Sequence, residues 1–160
     1  YSLSKKELVD VITQKIREKY PTFSKQLIEQ VEQKEVKVPT SIFSKNVGAL
    51  ESLVRYMKEN LNMKYCEIAE KLGRDERTIW TAYKKACEKQ KESVKVVVNE
   101  NVVSIPMSVL GTKELTVLES AIVYLKERGF KFSEIAELLE RDQRNIWTAY
   151  SKTKDIYLKR

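Results

Sequence analysis

The sequence predicts a mainly α fold in which one small helical unit occurs twice. Residues 67–83 and 134–150 are near copies of each other, and both end in Ile-Trp-Thr-Ala-Tyr. Apolar residues in both copies recur at helical spacing, which favours helices over strands. Matched positions lie 67 residues apart, as Pro39 and Pro106 or Ala69 and Ala136 illustrate. The repeated unit is therefore larger than the copied segment, and it is small enough to occur twice in 160 residues.

The spacing inside each copy predicts a helix-turn-helix. Ala69 is small enough to let a second helix cross close to the first, and Gly73 follows four residues later, where the chain must turn. Ile79 then begins the inward stripe of the second helix. The second copy has Glu140 in place of Gly73, and a left-handed residue other than glycine costs about 1 kcal/mol. A packed domain can absorb that cost.

Residues 1–35 predict an N-terminal pair of helices. Ser4 and Glu7 form a capping-box pattern, and the first helix should end before Pro21. Ser24 is placed to cap a second helix that carries Leu27, Ile28 and Val31. A dimerisation arm, a brace for the first unit and the end of a larger upstream domain are all open roles for this segment.

Short β segments precede the helices of each unit. Residues 36–39 alternate like a strand that ends at Pro39. Residues 94–98 and 102–105 are rich in valine and flank a polar turn, which favours a hairpin over 94–105. We therefore expect an N-terminal segment at 1–35 and helix-turn-helix units at 36–92 and 93–160.

Three helices per unit give enough faces to enclose a small core. The first helices are expected at about 49–60 and 115–128, each followed by the two motif helices. The predicted core side chains are Leu50, Leu53, Val54, Met57, Ile68, Leu72, Ile79 and Tyr83 in the first unit, and Leu118, Ile122, Leu125, Ile135, Leu139, Ile146 and Tyr150 in the second.

Composition restricts the classes of function. The formal charge of +7 and the pI near 9.3 suit a phosphate-rich partner. The chain has no histidine, and its two cysteines, Cys66 and Cys87, form no Cys-x-x-Cys pair, so we expect no metal site, no cofactor and no enzyme activity. No apolar run approaches the roughly 20 residues that cross a bilayer, and we expect no signal peptide. These features predict a soluble, cytoplasmic, nucleoid-associated protein without a membrane partner.

Residues 65–74 resemble the helix-turn-helix of sigma factor region 4 and of the sigma-like regulators that share it. The resemblance covers the helical part of each unit, about a third of the chain per copy. It implies a three-helix DNA reader whose last helix lies in the major groove. Composition and spacing by themselves indicate only the helices.

The second motif helix of each copy carries the candidate binding residues. Asp75 and Asp142 stand at its start, where a carboxylate caps free amides. Arg77 and Arg144 follow two residues later and are expected to reach a phosphate or guanine; the alternative is an ion pair with a nearby glutamate such as Glu67 or Glu134. The candidate DNA-binding residues are Arg74, Glu76, Arg77, Thr78, Thr81, Lys84, Lys85, Arg141, Gln143, Arg144, Asn145, Thr148 and Lys152.

Two further groups of residues border these helices. Trp80 and Trp147 directly follow a buried isoleucine, so packing is their favoured role, and contact with thymine methyls or sugar edges is the alternative. Several lysines are expected to meet phosphates, although a lysine run is often only a solvated helix end. They are Lys84, Lys85, Lys89 and Lys91 in the first copy and Lys152 and Lys154 in the second.

Duplication and charge together predict a sequence-preferring protein that binds double-stranded DNA and regulates transcription. Two readers in one chain can occupy neighbouring major-groove segments, and the second then binds as an intramolecular event. The first copy has Glu76 and Thr78 at outward positions where the second copy has Gln143 and Asn145. The two half-sites of the DNA should therefore differ. The alternatives are an adapter that binds a polymerase, mobile-element or viral partner, and the DNA-targeting segment of a larger recombinase or nuclease. RNA polymerase or another protein is a further expected partner of the N-terminal helices.

Overall fold

The structure, a computed structural model, describes residues 4–19, 35–93, 96, 99 and 101–158. Within these residues lie eight α-helices and two short strands, which confirms the predicted mainly α fold with short β segments. The chain divides into two compact units, Tyr1–Val36 and Lys37–Arg160.

The N-terminal unit contains helix α1 (Lys5–Lys19). The predicted capping box is confirmed, because the Glu7 amide donates to Ser4 Oγ at 3.3 Å and the Ser4 amide donates to Glu7 Oε2 at 2.7 Å. These hydrogen bonds lower the pKa of Glu7. Leu8 and Ile12 are exposed. The helix predicted from Ser24 lies outside the described residues.

The first repeat begins with a strand and continues as three helices. Its elements are β1 (Lys37–Pro39), a 3-10 turn (Thr40–Ile42), α2 (Ala49–Glu59), α3 (Tyr65–Leu72) and α4 (Glu76–Lys89). Helix α4 packs against both α2 and α3. The apolar stripes of all three helices meet there, so this contact holds the local core.

The second repeat has the same order of elements. They are β2 (Ser104–Pro106), α5 (Met107–Leu110), α6 (Val117–Glu127), α7 (Phe132–Leu138) and α8 (Gln143–Leu158). Helix α8 packs against α6 and α7 as α4 does in the first repeat. The short helix α5 occupies the place of the 3-10 turn.

The core agrees with the sequence prediction except at two matched positions. Eleven of the fifteen predicted core residues are buried. The other four are half-buried: Leu50 and Leu118 on the first helices, and Tyr83 and Tyr150 on the last. Each tyrosine instead closes the edge of its core by a ring contact, Tyr83 with Tyr65 at 5.9 Å between centroids and Tyr150 with Phe132 at 5.4 Å.

The two repeats form one compact unit, Lys37–Arg160, where the sequence suggested separate units at 36–92 and 93–160. Strand β1 pairs with β2 in an antiparallel ladder, and α2 packs against α6. The backbone N–H and C=O groups of a short strand stay unpaired unless a second strand forms hydrogen bonds with them. Here each repeat supplies the strand that pairs with the strand of the other repeat.

The hairpin predicted over 94–105 falls partly outside the described residues, since 94, 95, 97, 98 and 100 are not among them. Its described end, Ser104 and Ile105, lies in β2 and pairs with β1 of the first repeat.

Candidate nucleic-acid interface

Both second motif helices begin with the predicted aspartate cap. Asp75 Oδ1 accepts from the Arg77 amide at 2.8 Å, and Asp142 Oδ1 accepts from the Arg144 amide at 2.8 Å. The cap fixes where α4 and α8 begin. It thereby sets Arg77 and Arg144 at the same place in the first turn of their helices.

The turn before each second helix has the same backbone shape in both copies. Gly73 has φ 58°, as predicted, and Glu140 adopts φ 48° without being glycine. The Arg74 amide donates to Ala69 O at 2.9 Å, and the Arg141 amide donates to Ala136 O at 2.9 Å. These bonds close the ends of α3 and α7.

Glu140 makes a contact across the repeats. Its Oε2 accepts from the Lys45 amide at 3.3 Å, and Lys45 belongs to the first repeat. A glycine at this position, as at Gly73, would lack the side chain that makes this long-range hydrogen bond.

Most of the predicted DNA-binding residues are exposed. Arg74, Thr81 and Arg141 are half-buried. The exposed ones are Glu76, Arg77, Thr78, Lys84 and Lys85 in the first repeat, and Gln143, Arg144, Asn145, Thr148 and Lys152 in the second.

Among the described residues, Arg77 and Arg144 take part in neither of the ion pairs found there, Arg55–Glu59 and Lys89–Glu51. Glu67, the expected alternative partner of Arg77, accepts from the Lys64 amide at 2.7 Å, and Glu134 accepts from the Lys131 amide at 2.6 Å. Both glutamates therefore cap the first motif helices.

Arg141 was predicted to contact DNA, but its guanidinium forms hydrogen bonds within the protein. Its Nη1 donates to Ser44 O at 2.6 Å and its Nη2 donates to Val47 O at 2.7 Å. The guanidinium thus joins the turn of the second repeat to the first repeat. We assign Arg141 a structural role and leave it out of the binding surface.

Trp80 and Trp147 are exposed, so the favoured packing role was wrong. Trp80 is 50% exposed and Trp147 is 58% exposed. Each lies three residues after the exposed arginine of its helix, and residues at that spacing share a helix face. The three-residue spacing from the arginine was the feature of the sequence that indicated exposure of each tryptophan. The prediction of packing relied instead on the buried isoleucine next to each tryptophan.

These residues define an outer face on each second helix. We use the term for Glu76, Arg77, Trp80 and Lys84 on α4, and for Gln143, Arg144, Trp147 and Ser151 on α8. Lys84 Nζ lies 5.2 Å from the centroid of the Trp80 ring. On α8, Trp147, Arg144 and Gln143 line an open depression together with Phe132 and Asp142. Each outer face thus combines a guanidinium with a large aromatic ring.

Two matched threonines, Thr81 and Thr148, use their hydroxyl hydrogens internally. Thr81 Oγ1 donates to Arg77 O at 2.9 Å, and Thr148 Oγ1 donates to Arg144 O at 2.9 Å. Their methyl groups and oxygen lone pairs are what remains for a ligand.

The lysines beyond the outer faces have mixed surroundings. Lys89 Nζ lies 2.8 Å from Glu51 Oε2 and so joins the end of α4 to the start of α2. Although burial opposes it, hydrogen bonds from Lys89 and from the Gly48 amide lower the pKa of Glu51. Lys154 lies 5.3 Å from the Tyr150 ring centroid. Lys85 and Lys152, at matched positions, are exposed.

The end of α4 is held by a buried arginine of α2. Arg55 Nη1 donates to Gln90 O at 2.6 Å, and Nη2 donates to Glu92 O at 2.9 Å. Its Nε donates to Glu59 Oε1 at 3.1 Å, which places a carboxylate beside the charge. This network satisfies carbonyls that a helix end leaves open.

Comparisons with protein-family models, with curated proteins and with solved structures found no match for this chain. None of the described helices combines the length and apolar character that a membrane crossing requires.

Proposed function

We propose that this chain binds double-stranded DNA with sequence preference and regulates transcription, using α4 and α8 as two major-groove readers. The observation that carries the proposal is the pair of matched outer faces. Each presents an exposed arginine that takes part in neither ion pair of the described residues, an exposed indole and nearby basic residues. An exposed helix face of this composition fits the major groove of B-DNA.

The outer faces and the flanking lysines divide the work of binding. Lys84, Lys85 and Lys152 supply positive charge for phosphates, which gives affinity without sequence information. Arg77 and Arg144 have the planar fork that pairs with guanine O6 and N7. The indoles and the threonine methyls offer apolar contact to thymine methyls.

The direct test removes both arginines and measures affinity for duplexes selected from a random library. Arg77→Ala with Arg144→Ala should weaken binding by about 30-fold or more, since each contact is worth about 1–3 kcal/mol. The matched control is Lys5→Ala with Lys6→Ala, which removes the same charge outside the Lys37–Arg160 unit. Circular dichroism should show an unchanged fold in both variants, because all four side chains are exposed. Equal affinity of the arginine variant and the parent would refute the proposal.

A second candidate is a protein-interaction adapter. The exposure of Trp80 and Trp147 favours it, because tryptophan and arginine are enriched at the energetic centres of protein interfaces. A protein partner held by these indoles would bind with weak dependence on salt, whereas DNA binding would fall steeply as salt rises.

A further inference from the structure

The two repeats are related by a local two-fold axis that passes through their shared ladder. Strand β1 pairs with β2 as Lys37 with Pro106, Val38 with Ile105 and Pro39 with Ser104. The strands and the motif helices of the two repeats match at an offset of 67 residues, so Val38 pairs with its own counterpart, Ile105. If each residue is replaced by its counterpart in the other repeat, the pair Lys37–Pro106 becomes the pair Ser104–Pro39, which is the third pair of the ladder. An antiparallel ladder with this register is what a two-fold rotation produces.

Contacts away from the ladder join the repeats at corresponding places. Arg141, in the turn of the second repeat, donates to the carbonyls of Ser44 and Val47 in the first. Gly111 of the second repeat lies against the end of α3, where a Cβ would lie 2.4 Å from Lys71 O. The two contacts correspond in position and differ in kind, since the first consists of side-chain hydrogen bonds and the second of backbone packing.

The central helices complete the arrangement. Helices α2 and α6 are matched elements, and they pack against each other. Contact between matched elements is what an isologous interface, the type found in two-fold dimers, brings about. Together with the register of the ladder, it arranges the Lys37–Arg160 unit like a two-fold dimer of helix-turn-helix repeats within one chain.

We propose that the DNA target is an imperfect inverted repeat whose centre lies on this axis; the inference rests on the proposed DNA-binding function. Two readers related by a two-fold axis present the same residues to opposite strands. They can engage one duplex together only when its half-sites are inverted, as two-fold symmetric helix-turn-helix dimers do. Two copies in tandem would otherwise be expected to read half-sites in direct orientation. The two-fold symmetry of the repeats is what predicts inverted half-sites instead.

The two half-sites should differ in a specific way. Arg77 and Arg144 are identical, so guanine is expected at their matched positions. Glu76 accepts hydrogen bonds and prefers cytosine N4, whereas its counterpart Gln143 pairs with adenine. Asn145 also prefers adenine, where the first repeat has Thr78. The inverted repeat is thus symmetric at the arginines and asymmetric beside them.

Selection of bound duplexes from a random library by the full chain tests the orientation. We expect two half-sites in inverted orientation, with one centre-to-centre spacing enriched. A duplex in which one half-site is reversed to give a direct repeat should bind about 100-fold more weakly, because the second reader no longer binds as an intramolecular event. Enrichment of direct repeats or of a single half-site would overturn this inference and leave DNA binding intact. Failure to enrich any duplex would overturn DNA binding, and this inference with it.

A variant with two identical readers tests the symmetry separately. Glu76→Gln with Thr78→Asn gives α4 the α8 residues at exposed positions, so the fold should be retained. The same selection should then yield a more symmetric inverted repeat. The matched control, Gln143→Glu with Asn145→Thr, should also raise the symmetry but towards the other half-site. Unchanged asymmetry in both variants would contradict the assignment of the half-sites.

Discussion

Arg77 and Arg144 hold the same place in their helices, and a guanidinium differs there from an ammonium in geometry rather than charge. Both follow an aspartate cap and lie outside the ion pairs of the described residues. A planar fork can pair with two acceptors of one guanine, and lysine cannot reproduce that contact.

Replacing both arginines by lysine separates recognition from charge. Arg77→Lys with Arg144→Lys should keep most of the affinity for mixed-sequence duplex and its salt dependence. Preference for the selected site should fall by about 10-fold or more, since a bidentate contact discriminates by about 1–3 kcal/mol. Competition between selected and mixed duplex measures the change. A variant that retains full preference would show that the arginines contact only phosphate.

Ionisation of Tyr83 makes the stability of the first repeat depend on pH. Burial, the neighbouring Cys87 and Glu59 raise the pKa of Tyr83 from 10.0 to about 12. Its folded pKa lies above the ordinary value, so its stabilising contribution is present below pH 10 and is lost as the pH rises towards 12. The phenol also donates to Glu59 Oε1 at 3.3 Å.

Removing this hydroxyl should reduce the alkaline loss of stability. Urea unfolding at pH 8 and pH 11 should show a smaller difference for Tyr83→Phe than for the parent. Part of the loss should remain, because burial also raises the pKa of Tyr56 and Tyr65. Tyr150→Phe, at the matched position, is the control for removing a phenol at this edge of a core. An undiminished loss in Tyr83→Phe would contradict the assignment.

At the scale of elements, helices were predictable from the sequence and their partners across the repeats were not. Periodicity and caps report local structure, which is why the Asp75 and Asp142 caps and the left-handed Gly73 were anticipated. The β1–β2 pairing and the Arg141 contacts join residues more than 60 positions apart, as between Arg141 and Ser44. No short-range pattern encodes them, and so Arg141 was taken for a DNA contact.

Gly111 tests the packing of α3 against the second repeat. Its φ of −90° suits any residue, so Gly111→Ala should act only through the Cβ, which would lie 2.4 Å from Lys71 O. We expect the free energy of unfolding to fall by about 1–3 kcal/mol, as overpacking usually costs. The control is Gly48→Ala, where the nearest atoms belong to the Glu51 side chain and lie at 3.2 Å, so the approach is less severe than at Gly111. Urea unfolding that finds the Gly111 variant as stable as the parent would contradict this packing.

For the whole molecule, the shared ladder implies that the repeats unfold together. Val38 and Ile105 are both 0% exposed and pair at its centre, so losing either repeat exposes the other. The sequence predicted two units because it shows the duplication but not the symmetry between the copies. The exposed tryptophans illustrate the same limit, since neighbouring residues alone could not decide which side of the helix stays uncovered.

The two tryptophans report on the two repeats separately. Trp80→Phe leaves a probe in the second repeat, and Trp147→Phe leaves one in the first. Urea unfolding followed by fluorescence should give the same midpoint for both, as expected of one cooperative unit. Circular dichroism of each variant controls for an effect of the substitution itself. Two clearly separated midpoints would show that the repeats are independent bodies.

The central claim is that the outer faces and their lysines bind DNA, and its most direct measurement is the affinity of the full chain for duplex DNA as salt is varied. The proposal assigns three exposed lysines to phosphates: Lys84, Lys85 and Lys152. If all three neutralise phosphates, log affinity falls against log salt with a slope of about −2.7, and affinity drops about 40-fold between 50 and 200 mM. Lys85→Ala with Lys152→Ala should make the slope shallower by about 2. A slope near zero, or no binding at 50 mM salt, would contradict the claim.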